Sequence, residues 1–419
     1  MEQGFDVVVI GAGPAGLLAA GRAAMGGARV LLLEKMEKPG RKLRITGKGR
    51  CNITNVRPWH EFSGHVHPTA RFFKPSFVHF SNTSAIAFFE SIGLPVVTER
   101  GDRVFPASQR AQDVADILVH WVKKQGVEIR CNAEVLHLKT SDGRVSSVEF
   151  MQGNVLQQVN AQCVILATGG LSYPATGSTG DGYRMAKELG HAITDLRPSL
   201  VALDISNHFK ILEGLELKNV SLRLLVDNVV RAEEFGELVF TNTGVDGAII
   251  LRVSRRAVDA LIQKKRVAIQ LNLKPALSDE QLKKRVHREC ESLERENLST
   301  LLRKLLPAQL VVPFMSVIGM SGNKKNTTLS DSDMSKIAST LHEWTFELCG
   351  FQGYERAVIT AGGLSLKEID SKTMQSNKIR NLFFAGELLD LDADTGGYNL
   401  QIAFSTGFLA GKSAAESII

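Results

Sequence analysis

Paired cysteines are missing from this chain. Its five, Cys51, Cys131, Cys163, Cys290 and Cys349, are odd in number and widely scattered, without CxxC or CxxxxC spacing. That pattern argues against a disulfide framework, a zinc site or a redox-active dithiol. Long apolar runs are missing too: none reaches the roughly 18 residues that a membrane span requires, and no membrane association is expected. The first strand-like run opens at Phe5, which leaves no room for the charged and apolar stretches of a signal peptide, so a cytoplasmic location is expected. The histidines show neither HxxxH nor HExxH spacing, and His60, His65 and His67 cluster in a loop containing proline and phenylalanine. No metal site is expected.

What remains is the composition of a folded globular protein, 44% hydrophobic and 22% charged. At 419 residues the chain exceeds one ordinary core, which suggests two or three domains. The net charge of +6 would suit a nucleic-acid partner, but an anionic cofactor and anionic substrates favour basic residues equally well.

The N-terminal run Asp6-Val7-Val8-Val9-Ile10-Gly11-Ala12-Gly13-Pro14-Ala15-Gly16, followed by Val30 to Leu33 and Glu34, has the spacing of a dinucleotide-binding βαβ unit. Gly11 permits the tight turn after the strand, Gly13 lets backbone amides approach a pyrophosphate, and Gly16 lets helix and strand pack closely. The anion then sits on a helix N-terminus, where unpaired amides and the positive end of the dipole favour it. Glu34 falls where a carboxylate accepts from ribose hydroxyls and repels a 2′-phosphate. This is the single such fingerprint in the sequence.

Further along, Gly40 to Asn55 is basic and glycine-rich and reads as a loop. Apolar spacing predicts helices from Ser84 to Ile92 and from Val114 to Val122, with strands between Val127 and Leu138 around Cys131 and Asn132. A buried strand ends in Ala167-Thr168-Gly169-Gly170, followed by Gly177 to Gly182 and a helix from about Tyr183 to Gly190. Short β-type runs follow, at Leu222 to Val226, Glu237 to Phe240 and Val267 to Leu271. Ser278 and Gln281 form a capping box before Leu282, Val286 and Cys290. A second helix is expected to carry Met334, Ile337, Leu341, Trp344 and Leu348 on one face, as core. Strand-then-glycine chemistry returns at Val358 to Ile359 and at Leu382 to Glu387. The expected layout is a nucleotide fold in two pieces, 1–195 and 351–419, interrupted by a β-rich domain, 196–275, and a helical module, 276–350.

The segment from Gly386 to Gln401 reads as strand, loop and helix start, with Gly396 and Gly397 directly before the helix. Free amides there would stabilise negative charge, such as that of a reduced flavin; an ordinary glycine-rich helix start is the plainer alternative. Three runs occur in order: RITGKGRCNITN within the Gly40 to Asn55 loop, ATGG with a following TGDG, and LDADTGGYNLQIAFSTG. On these motifs the chain resembles the FAD-dependent flavoprotein family that includes YhiN and BaiN, labelled as NAD(P)/FAD-dependent or aminoacetone-oxidase-type oxidoreductases. It shares the wider layout of flavoproteins related to fumarate reductase.

The resemblance implies an α/β, glutathione-reductase-like FAD-binding Rossmann-type domain with an inserted β-rich domain and a helical module. It implies that Gly11, Gly13, Ala15 and Gly16 hold the pyrophosphate, and that Glu34, with Lys35 beside it, holds the adenosine ribose. Arg41 and Lys42 would neutralise phosphate, while Gly49, Arg50, Cys51 and Asn52 line the flavin side. Val135 would meet adenine through its backbone, and Thr168 with Gly169 would close over the dinucleotide. Gly386, Glu387 and Asp390 would meet the ribityl chain, with Gly397, Tyr398, Asn399 and Leu400 at the isoalloxazine. The family's FTHTGxSGP segment appears here as Phe240 to Ala248 with Asn242, Asp246 and Ala248 departing from it.

The basic residues Arg41, Lys42, Arg44, Lys48 and Arg50 would otherwise be a solvated face or a nucleic-acid patch. Cys51 reads as an inert packing residue in preference to a redox thiol. Tyr173, Tyr398 and Arg50 are the candidates for catalysis, although simple stacking on the ring accounts for either tyrosine. The expected activity is reduction of an unsaturated or carbonyl-containing small organic molecule by an FAD enzyme using NAD(P)H. A flavin-containing RNA-binding or RNA-modifying protein and a flavin redox sensor without turnover are the alternatives.

Overall fold

The computed structural model describes residues 4–207 and 209–418. They divide into two compact units, one formed by Met1–Pro198 with Tyr354–Ile419 and the other by Ser199–Gly353. In the first unit, strand Phe5–Ile10 lies between Val30–Leu33 and the second half of Val155–Leu166, in parallel register Val7↔Val30 and Val7↔Cys163. Glu128–Arg130 extends the sheet on one side and Leu382–Phe384 on the other. Parallel strands covered on both faces must be apolar throughout, and Val7 to Val9 with Leu31 and Leu32 have no exposed surface. The first half of Val155–Leu166 turns antiparallel, pairing with Arg144–Gln152, which pairs with Ala133–Ser141. One long strand thus joins a nucleotide-type sheet to a three-stranded meander, as in the glutathione-reductase-like arrangement.

Helix Pro14–Met25 starts at Gly13 with proline in its first turn, and helix Tyr398–Glu416 packs along it. The contact is made of small residues. A Cβ on Gly407 would lie 2.2 Å from the Ala15 carbonyl, and one on Gly411 equally close to that of Ala19. The two ends of the chain therefore meet backbone to backbone.

The segment Gly40 to Asn55, expected as a loop, is more ordered than that. It holds helix Arg41–Ile45, a 3₁₀ turn Thr46–Gly49 and strand Thr54–Asn55, which pairs with Arg103–Pro106. Leu43, buried to 1% exposure, anchors the helix, and Gly40, Gly47 and Gly49 with positive φ mark its turns rather than dissolve it. The helix expected from Tyr183 runs from Asp181 to Glu188.

In the second unit, six strands close a barrel in the order Leu203–Ile205, Gly244–Asp246, Val229–Phe240, Glu216–Val226, Val267–Asn272 and Trp344–Phe351. Four helices, Asp279–Ser292, Leu298–Leu305, Ala308–Ile318 and Asp331–His342, lie in the chain between the last two of these strands. The capping box at Ser278 and Gln281 is formed. The apolar stripe read through Trp344 and Leu348 is corrected here: the helix stops at His342, and both residues belong to the closing strand. That strand alternates buried and exposed positions, and its aromatic and β-branched residues suit a pleated surface. Among the described residues no helix is long and apolar enough to cross a membrane.

Candidate functional site

The fingerprint glycines have the geometry their spacing implies. Gly11 has φ +97°, and a Cβ there would lie 2.6 Å from the Ala167 carbonyl, at the end of the neighbouring strand. A Cβ on Gly16 would meet the Gly11 carbonyl at 1.8 Å, whereas one on Gly13 would meet nothing within 4 Å. The helix N-terminus therefore faces open space, as an approaching pyrophosphate requires. Ala15 lies beneath Gly386, whose Cβ would sit 2.7 Å from that of Ala15. The Glu34 carboxylate accepts from the Ala12 amide at 2.8 Å and the Met36 amide at 2.9 Å, which locks it against the glycine turn. Burial raises its pKa, against the pull of those two amides. Lys35 bonds Asp181 at 2.5 Å and also Thr179, tying the TGDG segment to this end of the sheet. Val135, buried, follows Ala133, whose amide donates to the Glu34 carbonyl at 2.9 Å.

Thr168 Oγ1 is buried without a partner, and Gly169 has φ +76°. Glu387 anchors the opposite side: Lys42 Nζ lies 2.9 Å from one oxygen, while Ser172 Oγ at 2.5 Å and the Thr360 amide at 2.9 Å donate to the other. Burial works to raise the pKa of Glu387, but Lys42 and these donors leave it below the ordinary value. Gly386 donates to Thr406 Oγ1 at 3.0 Å, and the Asp390 amide to the Leu364 carbonyl at 3.1 Å.

The flavin-side candidates converge at the start of the C-terminal helix. Gly397, with φ +98°, would place a Cβ 2.4 Å from the Thr54 carbonyl and 2.8 Å from Asn52 Oδ1. Asn52 Oδ1 and Thr54 Oγ1 are buried and unpartnered. Asn399 clamps the preceding loop, accepting from the Ala393 amide at 2.8 Å and donating to its carbonyl at 2.7 Å; Leu400, half-buried, follows it on the helix. Tyr398 is buried between Phe62, ring centroids 4.8 Å apart, and His65, stacked at 4.4 Å. Burial pushes its phenol up to about 12. Tyr173, half-buried with φ +49°, donates its amide to the Tyr354 carbonyl at 2.9 Å.

Four of the five charges named in the basic segment find carboxylates within the protein. Arg41 bonds Glu37 at 2.6 Å, Lys42 bonds Glu387, and Arg44 bonds Asp116 at 2.7 Å. Arg50 bonds Glu99 at 2.5 Å and lies over the Phe105 ring at 4.2 Å. Beside it, Gly49 has open space around its α-carbon. Cys51 has no exposed surface, and burial pushes its thiol up to about 12. It is packed in the interior.

One constellation was not apparent in the sequence. Asp394 Oδ2 lies 2.8 Å from His65 Nδ1, and its Oδ1 lies 3.2 Å from His67 Nε2. Burial opposes ionisation of Asp394, but the two histidines carry its pKa down to about 2. The i, i+2 spacing of His65, which ends a 3₁₀ turn, and His67, in the two-residue strand Val66–His67, was the available signal. Its partner lies more than 300 residues away. Among the described residues, no group of three or more His, Cys, Asp or Glu side chains is arranged to hold a metal ion.

These residues fit a flavin dinucleotide: open space before Gly13, a carboxylate fixed at the strand end, and unpartnered polar atoms at Thr168 and Asn52. Fold and site together define an FAD-dependent oxidoreductase. The chain belongs to the family described as HI0933-like protein Rossmann domain, which it matches over residues 5–413. It is 29% identical over 411 residues to 3-dehydro-bile acid delta(4,6)-reductase of Clostridium scindens, spanning 97% of this chain and 98% of that one. It is 31% identical over 431 residues to ribosomal RNA dihydrouridine synthase of Escherichia coli, spanning 100% of both. Among solved structures, 3-ketosteroid delta1-dehydrogenase from Sterolibacterium denitrificans shares the fold with a TM-score of 0.55 at 13% identity, covering 99% of each chain.

Proposed function

We propose that this protein reduces a carbon–carbon double bond conjugated to a carbonyl in a small organic substrate, with NAD(P)H as the electron source. The likeness of the whole chain to the bile acid reductase, in a fold whose glycine turn and Glu34 suit FAD, carries this reading. Bound FAD would supply two-electron chemistry, taking electrons from the nicotinamide and releasing them to the substrate. The chain would do the rest. Gly11, Gly13 and Gly16 admit the pyrophosphate; Glu34 accepts from the adenosine ribose; Lys42 and Glu387, held by Ser172 and Thr360, fix the segment expected to face the ribityl chain. Gly397 and the amides of the C-terminal helix favour negative charge at the flavin ring. NAD(P)H would dock transiently, since a second fingerprint is absent from the sequence.

A second reading follows from the ribosomal RNA dihydrouridine synthases of Escherichia coli and Haemophilus influenzae, both matched over essentially the whole chain. A uridine base also carries a carbon–carbon double bond conjugated to a carbonyl, so the chemistry would be the same and the partner an RNA. The net charge of +6 is compatible with it. The paired state of Arg41, Lys42, Arg44 and Arg50 favours the small-molecule reading, because these cations are not free to line a phosphate stripe.

The deciding experiment reduces the purified flavoprotein with NADH or NADPH in a stopped-flow instrument and then adds 4-androstene-3,17-dione, 2-cyclohexenone or a uridine-containing ribosomal RNA fragment. Rapid bleaching by a nicotinamide and reoxidation by an enone support the proposal. Reoxidation by the RNA alone, weakening steeply with salt, supports the second reading. A flavin that no donor bleaches sinks both.

A further inference from the structure

We propose that His67 delivers the proton that completes reduction of the double bond, with the Asp394 carboxylate as its counter-charge and His65 as a positioning residue. This rests on the reductase reading above. Saturating a conjugated double bond breaks one π bond and forms two C–H bonds. The β-carbon takes a hydride equivalent from reduced flavin, which is oxidised, and the α-carbon takes a proton. NAD(P)H returns the two electrons and becomes NAD(P)⁺, so the net consumption is one NAD(P)H and one proton. Some group must hold that proton at the substrate, and general acids contribute roughly 10²- to 10⁴-fold to such steps.

The groups around the start of the C-terminal helix differ in their fitness for this. The Tyr398 phenol and the Cys51 thiol are each pushed up to about 12 by burial, which makes them poor acids at neutral pH. Glu387 is held ionised, accepting from Ser172 and Thr360 beside Lys42. The Arg50 guanidinium is committed to Glu99 and Gln109.

The two imidazoles are held differently. His65 Nε2 lies 3.3 Å from Arg57 Nη1, and a guanidinium can only donate. His65 Nε2 is therefore an acceptor and its Nδ1–H donates to Asp394, so both ring nitrogens are occupied. His67 donates Nε2–H to the other oxygen of the same carboxylate, and its Nδ1 has no partner among the described residues. An imidazole braced at one nitrogen by an ionised carboxylate and open at the other is the arrangement of an acid–base group.

The frame around it is stiff. Val66–His67 pairs antiparallel with Asp392–Ala393, the Asp394 amide donates to the His65 carbonyl at 3.0 Å, and Asn399 clamps Ala393 from the helix. The His65 ring stacks on Tyr398, the first helical residue after Gly397. The His67 side chain is 25% exposed, which leaves water a route to replace the proton.

The test uses the holoenzyme photoreduced without a nicotinamide, then mixed with 2-cyclohexenone, 4-androstene-3,17-dione, a uridine-containing RNA fragment or ferricyanide. Ferricyanide takes electrons without protonating carbon. The His67→Gln variant keeps a nitrogen donor toward Asp394 and removes the titratable ring; His67→Asn is the second variant should the first lose its flavin. Reoxidation by whichever carbon acceptor the wild type reduces is expected to slow 100-fold or more, with ferricyanide reoxidation and flavin content unchanged. Equal rates with the carbon acceptor, or equal slowing with ferricyanide, would overturn the role of His67 while leaving the reductase reading intact. Failure of every carbon acceptor in the wild type itself would overturn the reductase reading, and the His67 proposal with it.

Discussion

Glu34 would serve two ends at the residue scale. Its carboxylate spans the Ala12 and Met36 amides and so shapes the glycine turn, and under the proposed function a ribose would also find its acceptor there. Charge-assisted hydrogen bonds of this kind contribute roughly 1.5–3 kcal/mol. Glu34→Ala is expected to weaken FAD binding about tenfold or more, read as flavin per chain after gel filtration; unchanged flavin content would remove the ribose role. Asp394 makes a prediction about pH. Its folded pKa is depressed from 3.8 to about 2, so it stabilises the fold above the unfolded value. That contribution, about 2 kcal/mol, is lost as pH falls from about 4 to 2. Denaturant unfolding should show Asp394→Asn losing this amount at pH 6 and matching the wild type near pH 2. A constant difference across that range would disprove the linkage.

At the scale of elements, the seam between helices Pro14–Met25 and Tyr398–Glu416 is set by absent side chains. Gly407→Ala would drive a methyl to within 2.2 Å of the Ala15 carbonyl. Overpacking of this sort costs roughly 1–3 kcal/mol, and the shift should also loosen flavin, since Ala15 is part of the Gly11 to Gly16 fingerprint. Urea unfolding with and without FAD measures both effects, and unaltered stability would show that the helices can part at no cost. Ser278 Oγ accepts from the Gln281 amide at 3.2 Å, while Gln281 Oε1 accepts from the Ser278 amide at 2.9 Å. Its replacement by alanine should cost about 1 kcal/mol without changing flavin content. Such caps are legible because their partners lie three residues apart. The stripe that included Trp344 and Leu348 misleads for the complementary reason: spacings of three and four occur by chance in a strand, and only pairing with Val267–Asn272 distinguishes the two.

At the scale of the molecule, Lys42 and Glu387 join segments 345 residues apart at 2.9 Å, each side chain 19% exposed. Removing one partner leaves the other buried and uncompensated, at a cost of roughly 3–5 kcal/mol, whereas neutralising both restores much of it. Lys42→Met should therefore destabilise strongly, and the double variant Lys42→Met with Glu387→Gln should recover most of the loss. A double variant as unstable as the sum of its parts would mean that the pair carries no coupling.

The nucleotide fold was legible from residues 6 to 34 alone, because the turn, the helix start and the terminal carboxylate are local requirements met by neighbours in the chain. The strand before Gly386 was legible as well, and Leu382–Phe384 joins the parallel sheet beside Val155–Leu166. Which charges meet was decided only by tertiary structure. Lys42, Arg44 and Arg50 looked like part of a free basic run until folding brought Glu387, Asp116 and Glu99 to them, whereas Arg41 pairs with Glu37 only four residues away. The union of His65 and His67 with Asp394 is of the same kind. Backbone conformation depends on residues a few positions apart, whereas an ion pair depends on where distant strands end, and that is fixed by the packing of the whole sheet.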